Sequence, residues 1–164
     1  STLRLGNHAR RCTRTVGDVS FAHLCISGAG LAKFELHDPS RFNTMSDALG
    51  EDVRQAVELL RSLGSVYALV LQGAGTVFCA GGNPFASRGA SLLVYLAHGL
   101  RESILGYASM AALCVPKVCA AQGAMVGGAA AIFLQTDIRV ADRSATFQHG
   151  NLSRGTHSPR IAHA

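Results

Sequence analysis

The spacing of apolar and polar positions changes several times along the chain, and each change marks an element. Two β-prone runs, around Phe21–Ile26 and Ala32–Leu36, are split by Ser27-Gly28-Ala29-Gly30, small flexible residues that predict a hairpin. After the turn-rich His37-Asp38-Pro39-Ser40 the period becomes helical, with Leu49, Val53, Ala56, Val57, Leu60 and Leu63 on one face. Ser46 can cap this helix, Asp47, Glu51 and Asp52 lie early in it, Arg61 lies late, and Gly64 marks its stop. Tyr67–Leu71 is then a continuous apolar run of strand length, suited to a sheet covered on both faces.

A second helix is predicted from Ser91 to Leu113, with Leu93, Leu96, Ala97, Leu100, Ile104 and Ala108 on one side. Pro116 precedes another buried strand, Lys117–Gln122. The segment Gly123-Ala-Met-Val-Gly127-Gly128 reads as a glycine-rich connection, followed by a small-residue helix, Ala129–Gln135. Strands are expected near Ile138–Ala141 and Ala145–Gln148. Strand–helix alternation of this kind means an α/β fold. Ala111 to Leu134 is long and mostly apolar, but Pro116, Lys117, Gln122 and Gly127-Gly128 interrupt it, so no transmembrane segment is expected.

Composition narrows the function classes. With 48% hydrophobic and 15% charged residues in 164, the chain has the makings of one domain with a real core, not of a disordered tail. The net charge of +5 is uneven. Residues 1–17 carry Arg4, Arg10, Arg11 and Arg14 with no acid, and residues 143–164 carry Arg143, Arg154 and Arg160 with no acid. Between them the body is slightly acidic. Cationic ends without aromatic partners do not make a nucleic-acid-reading face, so no nucleic acid is expected as partner. Residues 1–17 form a basic arm that has either the composition of a mitochondrial or plastid transit peptide or that of a plain surface arm in a cytoplasmic protein. Five cysteines without a Cys-x-x-Cys pair are too few for a disulfide scaffold, and a reducing compartment fits them better. Cys114 and Cys119 lack a matching His pair, so no metal site is expected.

The glycine-rich loops carry the candidate chemistry. Gly28-x-Gly30 has Lys33, and Gly73-x-Gly75 has Phe78, where a dinucleotide fingerprint needs its third glycine. Neither Lys33 nor Lys117 follows a glycine, as a phosphate-binding P-loop requires, and no Gly-x-Ser-x-Gly elbow occurs. Two loops remain, Cys79-Ala80-Gly81-Gly82-Asn83 and Gly123-x-x-x-Gly127-Gly128. In both, glycine would let a ligand's carbonyl oxygen approach main-chain N–H groups. Two such donors converging on one carbonyl make an oxyanion hole, each typically worth about 3–4 kcal/mol to an enolate-like state.

From about Val19 to Pro159 the chain resembles the crotonase, or enoyl-CoA hydratase/isomerase, superfamily. Four segments carry the resemblance: Asp38-Pro-Ser-Arg-Phe-Asn-Thr-Met-Ser46, Phe78-Cys-Ala-Gly-Gly-Asn83, Pro116-Lys-Val-Cys-Ala-Ala-Gln-Gly123-Ala-Met-Val-Gly-Gly128, and Ala145-Thr-Phe-Gln-His-Gly-Asn151. It implies a crotonase-like ββα spiral core over 18–159, between the arm 1–17 and a short tail 160–164, with the family's C-terminal helical part absent. It also implies an oxyanion hole from the N–H groups of Gly82 and Gly128, and an acyl-CoA channel lined by Gly82, Asn83, Pro84, Phe85 and Gly128. No cofactor is implied beyond a coenzyme A thioester as ligand.

Two departures shape the expectation of function. The resemblance places Ala131 and Asn151 where the hydratases carry glutamates, and neither can exchange a proton at neutral pH. His149 is a replacement base or simply a solvated histidine. The length also falls short of the family's usual domain. The expectation is therefore a catalytically inactive, crotonase-like structural subunit of a larger, organellar complex. Its protein partners, or further copies of itself, would cover surface left by the missing helices. The alternatives are an active enzyme on acyl thioesters, of decarboxylase or isomerase type, and a non-catalytic acyl-CoA binder.

Overall fold

A computed structural model describes residues 15–16, 22–82 and 101–148. Among them, strands β1 (Thr15–Val16), β2 (Ala22–Ile26), β3 (Leu31–Leu36), β4 (Ala68–Gly73), β5 (Lys117–Ala121) and β7 (Ile138–Ala141) form a six-stranded sheet in the order β1-β2-β3-β4-β5-β7. The pairs β1–β2 and β2–β3 are antiparallel, and from β3 to β7 every pair is parallel. Strands β6 (Ala124–Val126) and β8 (Thr146–Gln148) make a separate parallel pair. Thr15 and Val16, assigned above to the basic arm, thus pair with Cys25 and Leu24 at the sheet edge.

The hairpin forms where the small residues stand. Ser27 N–H donates to Leu31 O and Gly30 N–H to Ser27 O, both at 2.9 Å. Helix α1 (Asp47–Leu63) begins and ends as its signals require. Ser46 Oγ accepts from Leu49 N–H at 3.2 Å, and Gly64 closes the helix in the left-handed region at φ 59°. Its buried stripe of Leu49, Gly50, Val53, Ala56, Val57 and Leu60 packs into one core with Leu24, Phe34, Leu36, Leu69 and Leu71 from the sheet. Full burial of an apolar side chain of this size is worth about 1.5–3 kcal/mol.

Helix α2 (Arg101–Ala111) lies against α1, so closely that a Cβ on Gly106 would sit 2.2 Å from Gly50 O. It ends two residues earlier than the apolar pattern suggests, and residues 91–100 of the expected helix lie outside the described residues. Helix α3 (Gly128–Leu134) follows the second glycine loop. Two expectations are corrected. Ala124–Val126, read as part of a loop, is strand β6, because β8 offers it a parallel partner that local composition could not reveal. Cys25, expected to be reduced, is disulfide-bonded. Among the described residues no helix is long and apolar enough to cross a membrane.

Candidate active site

Three chain segments meet beyond the carboxyl ends of β3, β4 and β5, and Asn43 ties the first to the second. It follows a single 3-10 turn at Pro39–Arg41 and, with Phe42, adopts the left-handed conformation at φ 51° and 53°. This turns its side chain inward, where it is fully buried. Asn43 Oδ1 accepts from Asp38 N–H at 2.8 Å, while Nδ2 donates to Ala74 O (2.9 Å), Val77 O (2.8 Å) and Phe78 O (3.1 Å). One amide thus satisfies three carbonyls of the segment that leads from β4 into the first glycine-rich loop, which could not otherwise be buried at low cost.

Gln122, the residue after β5, performs the same task. Its side-chain N–H groups donate to Gly73 O at 2.7 Å and Gly75 O at 3.0 Å, and its main-chain carbonyl accepts from Phe78 N–H at 2.7 Å. Cys79 pairs with Met125 of β6 in an isolated parallel bridge. Gly81, at φ 81°, passes so near β6 that a Cβ there would lie 2.0 Å from Val126 O. The two glycine loops are therefore packed and hydrogen-bonded directly onto each other.

Met45 stands between their tips. Its N–H donates to Gly81 O at 2.8 Å, and its backbone forms a parallel bridge with Gly82. Met45 thus bonds Gly81 rather than Gly82, whose own N–H is directed away from it. The Met45 side chain reaches across to Gly128, where a Cβ would lie 2.8 Å from its sulfur. Gly82 is exposed, and a Cβ on it would meet nothing within 4 Å. Among the described residues, the N–H groups of Gly82 and Gly128 have no acceptor. Gly127, at φ 57°, precedes α3 and donates its N–H to Gln148 O at 2.8 Å, which brings the end of β8 to the second loop.

Cys79 of the first loop, and Tyr107 and Cys119 close to it, are poor proton carriers. Burial pushes the Cys79 thiol up to about 12, although the N–H groups of Gly81 and Met45 pull the other way. Burial, with Cys79 close by, also raises the Tyr107 phenol, and the Cys119 thiol goes up to about 12 for the same two reasons. All three stay neutral near pH 7. Ala131, half-buried on α3, presents only a methyl group.

Of the residues singled out in the sequence, Gly82 and Gly128 are brought to the two sides of Met45, and Ala131 lies one turn further along α3. Asn83, Pro84, Phe85, His149 and Asn151 lie outside the described residues. Asn43, Met45 and Gln122, which build the arrangement, were not singled out. Only their place inside the segments quoted for the resemblance marked them.

A sequence profile of the enoyl-CoA hydratase/isomerase family matches residues 27–163. The probable enoyl-CoA hydratase echA6 of Mycobacterium bovis is 34% identical over 118 residues, covering 70% of this chain and 44% of its own length. The structure of Pseudomonas aeruginosa AtuE superposes with a TM-score of 0.76 at 28% identity, over 87% of this chain and 56% of that one. A Thermobifida fusca protein solved in complex with acetoacetyl-CoA shares the fold at 18% identity, with a TM-score of 0.72 over 87% of this chain and 58% of its own. The chain spans about half the length of the curated relatives it matches. Sequence profile, pairwise identity and fold agree, and the chain belongs to the enoyl-CoA hydratase/isomerase family of the crotonase superfamily.

Proposed function

We propose that this chain holds the carbonyl of an acyl-CoA or acyl-carrier thioester between the N–H groups of Gly82 and Gly128 without hydrating it, and serves as a non-catalytic subunit of a larger assembly. The observation that carries the reading is Ala131. It lies half-buried in α3, one turn beyond the second glycine loop, where the family resemblance calls for a carboxylate. A methyl group neither orients water nor moves a proton, and the nearby thiols and phenol are locked in their neutral forms. The acetoacetyl-CoA bound by the Thermobifida fusca neighbour supports the ligand class. The subunit role is supported by Leu134, Ile138, Val140 and Phe147, all more than half exposed on α3, β7 and β8. Large apolar side chains exposed on three successive elements favour a protein partner.

A second reading is an enzyme that stabilises an enolate, as in decarboxylation or isomerisation. The N–H groups of Gly82 and Gly128, which have no acceptor among the described residues, favour it, since such chemistry needs oxyanion donors more than it needs two glutamates. Incubation with crotonyl-CoA and a malonyl-type CoA separates the two. Saturable binding without turnover is expected. Turnover that disappears when bulk is added at Gly82 would overturn the non-catalytic reading and establish the second.

A further inference from the structure

The polar corner of the sheet face opposite α1 holds a cluster that acyl-thioester binding does not use. His23 on β2 lies directly across from Glu35 on β3, and His37 follows Glu35 by two residues, so the strand register sets all three on one face. His37 Nδ1 is 3.2 Å and His23 Nδ1 3.9 Å from the same oxygen, Glu35 Oε1, and the three ligand atoms lie within 4.8 Å of one another. The other oxygen, Oε2, is occupied separately. It accepts a hydrogen bond from Gln72 Nε2 on β4 and pairs with Lys33 Nζ at 3.2 Å.

We propose that His23, Glu35 and His37 form a surface site for a divalent transition-metal ion of the zinc class, bound through the two Nδ1 atoms and Glu35 Oε1. Two imidazoles and one carboxylate are a donor set that suits zinc and its neighbours, and three protein ligands leave coordination positions open to water. Gln72 supplies what metal-binding carboxylates commonly have, a hydrogen bond on the non-ligating oxygen that fixes the group's orientation.

The geometry needs a modest adjustment. Metal–ligand bonds of about 2.0–2.2 Å set tetrahedral ligand pairs roughly 3.3 Å apart, so the widest pair closes by about 1.5 Å. The two imidazoles are stacked, with centroids 3.9 Å apart and planes 26° apart, and must turn until their nitrogens converge. Their side chains are 43% and 41% exposed, which leaves room for that turn. Lys33, 47% exposed on a flexible stem, can stay on Oε2 or swing into solvent.

The test is calorimetric titration of the full chain with zinc sulfate, supported by the visible absorption of cobalt(II). One ion per chain is expected at this site. His23→Ala, Glu35→Gln and His37→Ala should each weaken it at least tenfold, or abolish it, and remove the corresponding cobalt bands. Gln72→Leu, which touches no ligand nitrogen, should weaken binding about tenfold. Thermal unfolding of each variant checks that it is folded. Absence of binding to the wild-type chain would overturn the proposal. So would zinc stoichiometry and affinity unchanged in the three ligand variants, which would locate the ion on other histidines.

Discussion

The Met45 sulfur lies where a Cβ on Gly128 would come within 2.8 Å of it, so the side chain from one segment fills the space that glycine leaves in another. The overlap involves the far end of a flexible chain, which can move. Gly128→Ala should therefore cost only about 1 kcal/mol of stability, as Met45 shifts from its place. In a Met45→Ala background the same change should be neutral or favourable, because the clash is gone and alanine favours the helix. A double-mutant cycle in urea should give a coupling near 1 kcal/mol. Additive effects would show that the two residues do not press on each other.

Neighbouring glycines in the first loop should behave oppositely. Gly81 has φ 81°, and a Cβ on it would overlap a main-chain oxygen, Val126 O, at 2.0 Å. Backbone cannot step aside as a methionine tip can. Gly81→Ala should cost about 3 kcal/mol or more, from left-handed strain plus displacement of β6. Gly82 meets nothing within 4 Å, so Gly82→Ala should leave the melting temperature nearly unchanged. Its effect belongs on the ligand side, as weaker retention of a CoA thioester by a methyl group beside the donor N–H. Equal loss of stability in both variants would contradict this division.

Asn43 offers a test of the loop's hydrogen bonding. Removing its amide leaves the carbonyls of Ala74, Val77 and Phe78 without their donor. Asn43→Ala should lower stability by about 3 kcal/mol or more, read from urea unfolding. Asn43→Asp keeps the size and the bond from Asp38 N–H, but it points an acceptor at three carbonyls. It should be no better than the alanine variant. If aspartate rescued stability, shape would matter there more than donation.

These residues also mark the limit of what the sequence discloses. α1 was legible from end to end because its signals are local: a Ser46 cap, a periodic stripe and Gly64. The hairpin was legible for the same reason. β6 was hidden because a run of only three residues between glycines makes a strand only when β8, some twenty positions later, pairs with it. Gly82 and Gly128 could be chosen as candidates, but not Met45 between them, because an apolar residue before a helix cap looks like ordinary core. His23 and His37 stand fourteen positions apart, and only the hairpin register sets both beside Glu35. Chemistry that depends on cross-strand neighbours is invisible to a search for ligand spacing along the chain.

Alkaline pH should expose the buried thiols and phenol beneath the glycine loops. Burial raises the Cys79 and Cys119 thiols from 9.0 to about 12 in the folded chain, and Tyr107 shifts in the same direction. The unfolded chain releases these protons first, so above pH 9 the native state binds more protons than the unfolded state does. Stability from these groups is complete below pH 9 and declines as pH rises toward 12. Each thiol should contribute a slope of about 1 kcal/mol per pH unit in that window. Urea midpoints measured from pH 7 to 11 should be nearly level as far as these groups are concerned, then fall beyond pH 9. Cys79→Ala should lower the starting stability through its cavity yet make the alkaline decline shallower. A decline equally steep in wild type and Cys79→Ala would mean that the thiol is not protected in the folded core.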